Sequence, residues 1–213
     1  MEKLIIEGFD RVKYYDMEEI PIGTHIAFIY HNTQKKSNVL KRFFEIGFKR
    51  NHKAVYLVDE EEQKGDINLL MGNESQSTNN RIIIENAMDV YCANGKFSLE
   101  EMFNNWGAFI QFFEQQGFDG VRAVGEMSWA LKGLENSKSL FEYESKLRDF
   151  FKDKPILACC AYDARLFNGQ TILDVLKTHK YVFIDDKIFK NPFQQDVEEF
   201  LENYVSHALS NTY

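Results

Sequence analysis

Short runs of β-branched and aromatic residues alternate with longer amphipathic stretches along the chain. This alternation predicts βαβ units laid into a mostly parallel sheet. The first run, 25–31 (HIAFIYH), leads into a helix expected over 33–50, where Val39, Leu40, Phe43, Phe44 and Phe48 make an apolar stripe. Further strands are expected at 53–59 (KAVYLVD), 81–85 (RIIIE), 120–126 (GVRAVGE) and 156–162, the last opened by Pro155, with another short one at 181–185. Between them lie helices expected at 98–116, 138–152 and 170–179, and a terminal helix at 196–209. Ser98 followed by Glu101 has the form of a capping box, and Leu140, Tyr143, Leu147, Phe150 and Phe151 fall on one face of their helix.

No internal repeat and no Pro-, Gly- or Ser-rich linker divides the 213 residues, so a single α/β domain over 1–213 is expected. Its core would span about 20–185, with a helical extension over about 192–209. A composition of 44% hydrophobic and 27% charged residues suits a chain that buries a substantial core. The net charge of -8 disfavours nucleic acid and anionic membrane surfaces as partners, because both present negative charge. No apolar run is long enough to cross a bilayer, and the charged first residues do not read as a signal peptide, so a cytoplasmic location is expected. Cys92, Cys159 and Cys160 are too few for a disulfide framework and are expected as free thiols.

The turn after the first strand is where a phosphate-binding loop would sit. Such a loop reads G-x-x-x-x-G-K-[ST], its glycines letting backbone N–H groups close around phosphate oxygens. Here the stretch is Tyr30-His31-Asn32-Thr33-Gln34-Lys35-Lys36-Ser37. The Lys36-Ser37 pair stands in place between strand and helix, but bulky side chains occupy both glycine positions. Two readings follow: a degenerate P-loop retaining an anion-friendly helix start, or an ordinary polar turn with solvated lysines. Asp59, Glu60, Glu61 and Glu62 could supply metal-coordinating or acid/base carboxylates after the second strand, or form an exposed acidic loop.

Several ordered motifs resemble the MEDS domain, the methanogen/methylotroph sensory domain. They are His25, then Tyr91 with Gly95-Lys96-Phe97, then Gly117-Phe118-Asp119-Gly120-Val121-Arg122 and Gly125-Glu126-Met127-Ser128-Trp129. Tyr143-Glu144, Cys160-Ala161-Tyr162-Asp163 and Thr178-His179 follow in order, so the resemblance covers about 20–185. Lys180 departs from the pattern, since the family often has proline there. The resemblance implies a three-layer fold like the RecA and KaiC ATPases without their P-loop. It also implies sensing of a one-carbon or hydrocarbon-derived compound, with a histidine kinase or transcription regulator as output partner. Residues 186–213 suffice for one extended segment and one helix, so a signal is expected to pass through such a partner or through self-association into a homo-oligomer.

Arg122, Glu126, Met127 and Trp129 fall at or just beyond the end of the fourth strand, where open α/β sheets place ligand crevices. A partly apolar wall carrying one acid and one base would suit a small polar organic molecule; equally, Arg122 and Glu126 share a strand face and could pair with neighbouring charges while Met127 and Trp129 pack in the core. Cys160 and Tyr162 share one face of the fifth strand and could line a pocket, ligate a metal or pack as core. His25 is a further ligand candidate, although it begins its strand at the edge opposite the usual crevice. His179 reads as a minor candidate or as a helix C-terminal residue. No C-x-x-C or H-x-x-x-H spacing unites two metal ligands, so neither a metal nor another cofactor is expected, although a folded chain could gather Cys160, His25 and His179.

The leading functional expectation is therefore a sensory or regulatory module. The alternatives are a divergent nucleotide hydrolase using Lys36, Ser37, Asp59 and Glu60, a thiol-dependent catalyst using Cys160 with a histidine, and a structural partner of a signalling kinase.

Overall fold

A computed structural model of the chain describes residues 14–59, 81–184 and 186–194. The strands are β1 (Tyr14–Tyr15), β2 (Thr24–Tyr30), β3 (His52–Val58), β4 (Ile82–Asn86), β5 (Gly120–Glu126), β6 (Ile156–Asp163), β7 (Tyr181–Ile184) and β8 (Lys187–Lys190). The helices are α1 (Thr33–Lys49), α2 (Ala87–Tyr91), α3 (Leu99–Gln115), α4 (Leu134–Phe151) and α5 (Gly169–Thr178), with a 3-10 turn at Met127–Leu131 between β5 and α4. The strands form one sheet in the order β1-β8-β7-β2-β6-β5-β3-β4. From β7 to β4 the neighbours run parallel, while β8 is antiparallel to β7 and β1 to β8. The expected mixed α/β architecture is thus present, closed at one edge by the short antiparallel pair that the sequence pattern did not mark as strands.

The central strands β3, β5 and β6 are buried along their whole length, which explains their continuous apolar reading. Alternate residues feed two cores. On one face Ile26, Phe28, Tyr56, Val124 and Cys159 meet Leu40, Phe43 and Phe44 of α1. On the other, Ala27, Val55, Ala123 and Cys160 meet Trp106, Ile110, Leu140, Leu147 and Val175 from α3, α4 and α5. Cys159 and Cys160 therefore point to opposite faces, and all three cysteines are free and buried.

Local chemistry fixes where these helices begin. The Asn32 side chain accepts the Lys35 N–H at 2.9 Å and starts α1, a cap worth about 1 kcal/mol. Ser98 accepts the Glu101 N–H at 3.3 Å, but the Glu101 carboxylate accepts from Asn94 Nδ2, so the capping box is met on its serine side. Within α1, Gly47 lets the helix lie close to the sheet: a Cβ there would fall 2.6 Å from Cδ of Arg122. No helix among the described residues is long and apolar enough to cross a membrane. The acidic run Glu60–Glu62 and the helix expected over 196–209 lie outside the described residues.

His52 opens β3 under the same face and is buried, its Nδ1 without a hydrogen-bond partner among the described residues. Burial first, then the Arg122 and Arg50 charges, lower its pKa to about 4. The unfolded chain protonates His52 below about 6.5, whereas the folded chain resists until about 4, so stability falls as pH drops through that window. His52→Gln is expected to reduce the pH slope of unfolding free energy between pH 6.5 and 4 by up to ~1 kcal/mol per pH unit. It should leave the slope above pH 7 unchanged, as measured by urea denaturation across pH.

Candidate functional site

Strand alternation divides the candidate residues into two buried polar clusters. The first lies beneath α1. Lys36, on the first turn of that helix, is fully buried and points down onto the end of β5, where its Nζ donates to Glu126 Oε1 at 3.1 Å. Two phenols complete the carboxylate: Tyr56 of β3 donates to Oε1 at 3.0 Å and Tyr30 of β2 to Oε2 at 2.9 Å. The ammonium also sits 5.1 Å from the Tyr30 ring centroid and 3.4 Å from the Tyr56 hydroxyl oxygen. The expectation of solvated lysines thus holds for exposed Lys35 but fails for Lys36, because a buried carboxylate lies within its reach. Ser37 bonds back to the Thr33 carbonyl at 3.1 Å. Asp59 accepts from the Ser128 hydroxyl and lies 4.0 Å from Lys132 Nζ.

Arg122 shares this face two pleats away. Its guanidinium is 4.8 Å from the Phe43 ring centroid, and Nη1 donates to the Phe43 carbonyl at 3.3 Å. Burial and then the Arg50 charge lower its pKa to about 10. Arg122 and Glu126 do share a face, as strand geometry requires, but that face is turned away from Met127, Trp129, Cys160 and Tyr162. The single wall expected from these residues is therefore two walls.

The second cluster lies beneath α4. Trp129, on the 3-10 turn, is sandwiched between Tyr91 and Phe97, with ring centroids 4.8 Å away on both sides and planes within 18°. Tyr143 of α4 meets both flanking rings edge-on and accepts the Trp106 indole N–H at 2.9 Å. Gly125 is required here, since a Cβ would stand 2.3 Å from the Tyr91 hydroxyl oxygen. Trp129 is 1% exposed, and its Nε1 has no hydrogen-bond partner among the described residues. Met127 is buried in the same cluster.

Beside this aromatic group, Glu144 of α4 accepts from the Tyr162 hydroxyl at 2.5 Å through Oε1. Its Oε2 faces His179 Nε2 at 3.2 Å and His25 Nε2 at 3.7 Å. The two imidazole centroids are 4.4 Å apart. Burial, then repulsion by His179, lowers the pKa of His25 to about 3, so His25 is neutral. Burial alone would raise that of Glu144, but His179, His25 and the Tyr162 hydroxyl outweigh it and keep the carboxylate ionised. Burial above all, then Glu144, pushes the Cys160 thiol and Tyr162 phenol well above their ordinary values, which removes Cys160 as a ready thiolate.

Folding thus unites His25, Cys160 and Tyr162 with His179, and Met127 and Trp129 lie in the same core. Glu144, Tyr143 and Tyr91 carry equal weight in this geometry but were legible only as pieces of ordered motifs. Tyr30 and Tyr56 gave no signal beyond aromatic residues in strands.

A family described as MEDS, MEthanogen/methylotroph, DcmR Sensory domain, matches residues 24–180. The transcriptional repressor DcmR of Methylorubrum extorquens is 37% identical over 65 residues, covering 30% of this chain and 24% of that protein. The chain thus matches about a quarter of that relative's length. Among solved structures, a KaiC-like protein from the hyperthermophilic archaeon Pyrococcus horikoshii is similar in fold with a TM-score of 0.50 and 14% identity, over 78% of this chain and 72% of that one. An ATPase from the type III secretion system of pathogenic bacteria gives a TM-score of 0.52 and 16% identity, over 76% and 51%.

The buried Lys36–Glu126 pair generates a double-mutant test. Lys36→Met leaves the carboxylate without its cation and is expected to cost about 3–5 kcal/mol of unfolding free energy. Adding Glu126→Leu should recover part of that loss by removing the uncompensated charge, the remainder reflecting the acceptor that Tyr30 and Tyr56 lose. Chemical denaturation of the wild type, both single variants and the double variant measures the coupling.

Proposed function

As a member of the MEDS family the chain has a sensory, regulatory role, and we propose that it binds a small one-carbon or hydrocarbon-derived organic molecule on the α4 side of its sheet. Met127, Trp129, Cys160, Tyr162 and His25 are the contacts, and the signal passes to a histidine kinase or transcription regulator, or through self-association. The observation that carries this reading is the Trp129 sandwich. An indole N–H without a partner sits between two aromatic faces, in the same core as the Cys160 and Tyr162 side chains. A buried donor left unmatched favours a ligand that brings an acceptor, since leaving it unmade costs about 1–3 kcal/mol. The DcmR match, to a transcriptional repressor, supports a regulatory output.

Lys36 and Ser37 belong to a phosphate-binding turn closed by its own protein. The ammonium that would reach a phosphate is neutralised by Glu126, and side chains replace both loop glycines. Arg122 and Glu126 accordingly hold α1 on the sheet and do not contact ligand.

A thermal-shift screen against methanol, methylamines, methylated thiols and small halocarbons, with ATP and ADP plus Mg²⁺ in parallel, tests the proposal. At least one organic compound is expected to raise Tm, by about 2–4 °C for each kcal/mol of binding. The shift should be lost in Trp129→Phe, which keeps an aromatic ring between Tyr91 and Phe97 but removes the indole N–H. Stabilisation by Mg-ATP that disappears in Lys36→Met would instead return the chain to the nucleotide-binding enzymes.

A further inference from the structure

We infer that His25, Glu144 and His179 form a binding site for one divalent transition-metal ion of the zinc class. The inference does not depend on the sensory reading, because it concerns an ion and not an organic ligand. His25 Nε2, His179 Nε2 and Glu144 Oε2 all lie within 4.8 Å of one another, brought together from β2, the residue after α5 and the middle of α4. All three residues are at most 2% exposed. Each of these three atoms also lacks a hydrogen-bond partner among the described residues, although the second acceptor or donor on two of the residues is fully engaged.

His179 Nδ1 is engaged on its other side, 2.8 Å from the Val175 carbonyl and 2.9 Å from the Thr178 hydroxyl oxygen. That leaves His179 Nε2 as the nitrogen facing Glu144. The Tyr162 hydroxyl occupies Glu144 Oε1, leaving Oε2 as the oxygen that faces the rings. Two imidazole nitrogens therefore face one carboxylate oxygen at 3.2 and 3.7 Å in a buried site, an arrangement that a shared cation would satisfy.

The dimensions suit a metal. Donor atoms about 2.0–2.2 Å from a tetrahedral ion are spaced about 3.3–3.6 Å from one another, and two of the observed separations bracket that range. Imidazole and carboxylate together favour zinc, cobalt or iron in the divalent state over magnesium or calcium. One carboxylate against a dication leaves a single positive charge, and three protein ligands leave a coordination position for water or a small donor molecule. The outer partners are those expected of a metal site: a backbone carbonyl on the second nitrogen of His179 and a phenol on the second oxygen of Glu144. Linear spacing gave no hint of this, because the two histidines are far apart in the chain and Glu144 lies on a third element.

The test uses untagged full-length protein, stripped by chelator and titrated with Co²⁺ under visible spectroscopy, then with Zn²⁺ as competitor. One equivalent of Co²⁺ is expected to bind with the intense d–d bands of a tetrahedral site and to be displaced by Zn²⁺. Zinc at about a hundredfold excess over its Kd should raise Tm by about 5–10 °C. His179→Gln and Glu144→Gln should abolish the bands, Tyr162→Phe should weaken Co²⁺ binding by about 10–100-fold through its outer contact, and Cys92→Ser should bind as wild type. Folded wild-type protein that takes up neither ion overturns the inference without reference to any variant. So does a one-equivalent site that survives unchanged in both His25→Ala and His179→Gln.

Discussion

A parallel sheet covered on both faces leaves no water for its polar side chains, so each must find its complement on its own side of the sheet. Burying an isolated charge costs several kcal/mol even after relaxation, and an unmatched hydroxyl or amide costs about 1–3 kcal/mol. Glu126, at the end of a strand buried along its whole length, therefore draws in Lys36 from α1 and two phenols, Tyr56 from the adjacent β3 and Tyr30 from β2 beyond β6. Glu144, coming down from α4 onto the opposite face, is answered by Tyr162 and two imidazoles. These two carboxylates set where α1 and α4 lie. Gly47 of α1 over Arg122, and Gly125 of β5 under Tyr91 of α2, are the close approaches in these two faces.

This constraint also shapes the turn from β2 into α1. In a phosphate-binding loop the lysine is held outward by glycine-rich backbone that closes around the nucleotide. Here the turn from β2 into α1 is capped by Asn32 like any helix start, and the lysine one turn in is drawn inward by a carboxylate. The strand-end crevice beneath α1 is thereby filled by protein charge. On the other face, buried polar atoms without a hydrogen-bond partner among the described residues occur at His25, Glu144, His179 and Trp129, with His25 near the start of its strand and not at its end. The geometric objection to His25, that it sits away from the usual crevice, loses force once the cluster is seen to be built from α4 and α5 as much as from the strands.

Much of this architecture was legible in the sequence. Continuous apolar runs marked β2, β3, β5 and β6, helical stripes marked α1 and α4, the Ser98 cap marked the start of α3, and the spacing of Cys159 and Cys160 placed them on opposite faces. The short α2 and the edge strands β1 and β8 were not legible, because two to five residues hold too little periodicity to register. For the site, strand alternation correctly put Arg122 with Glu126 and Cys160 with Tyr162. It could not say that those pairs face apart, since relative facing of two strands depends on register, which only the fold supplies. The partners of Glu144 were hidden for the same reason: a buried carboxylate on a helix looks like a polar position in an amphipathic pattern until its neighbours are known.

The two clusters are separate in space but share backbone. Glu126 and Met127 are consecutive, as are Cys159 and Cys160, so a strand residue serving the α1 face is followed at once by one serving the α4 face. Close-packed interiors resist gradual deformation, and a displacement of β5 or β6 large enough to reshape one cluster strains the other. A change of packing on the α4 face thus acts against the stiffness of the Lys36–Glu126 pair beneath α1. In an ATPase of this fold the nucleotide would supply that resistance from outside. In this chain the Lys36–Glu126 pair, with its two phenols, lies beneath α1.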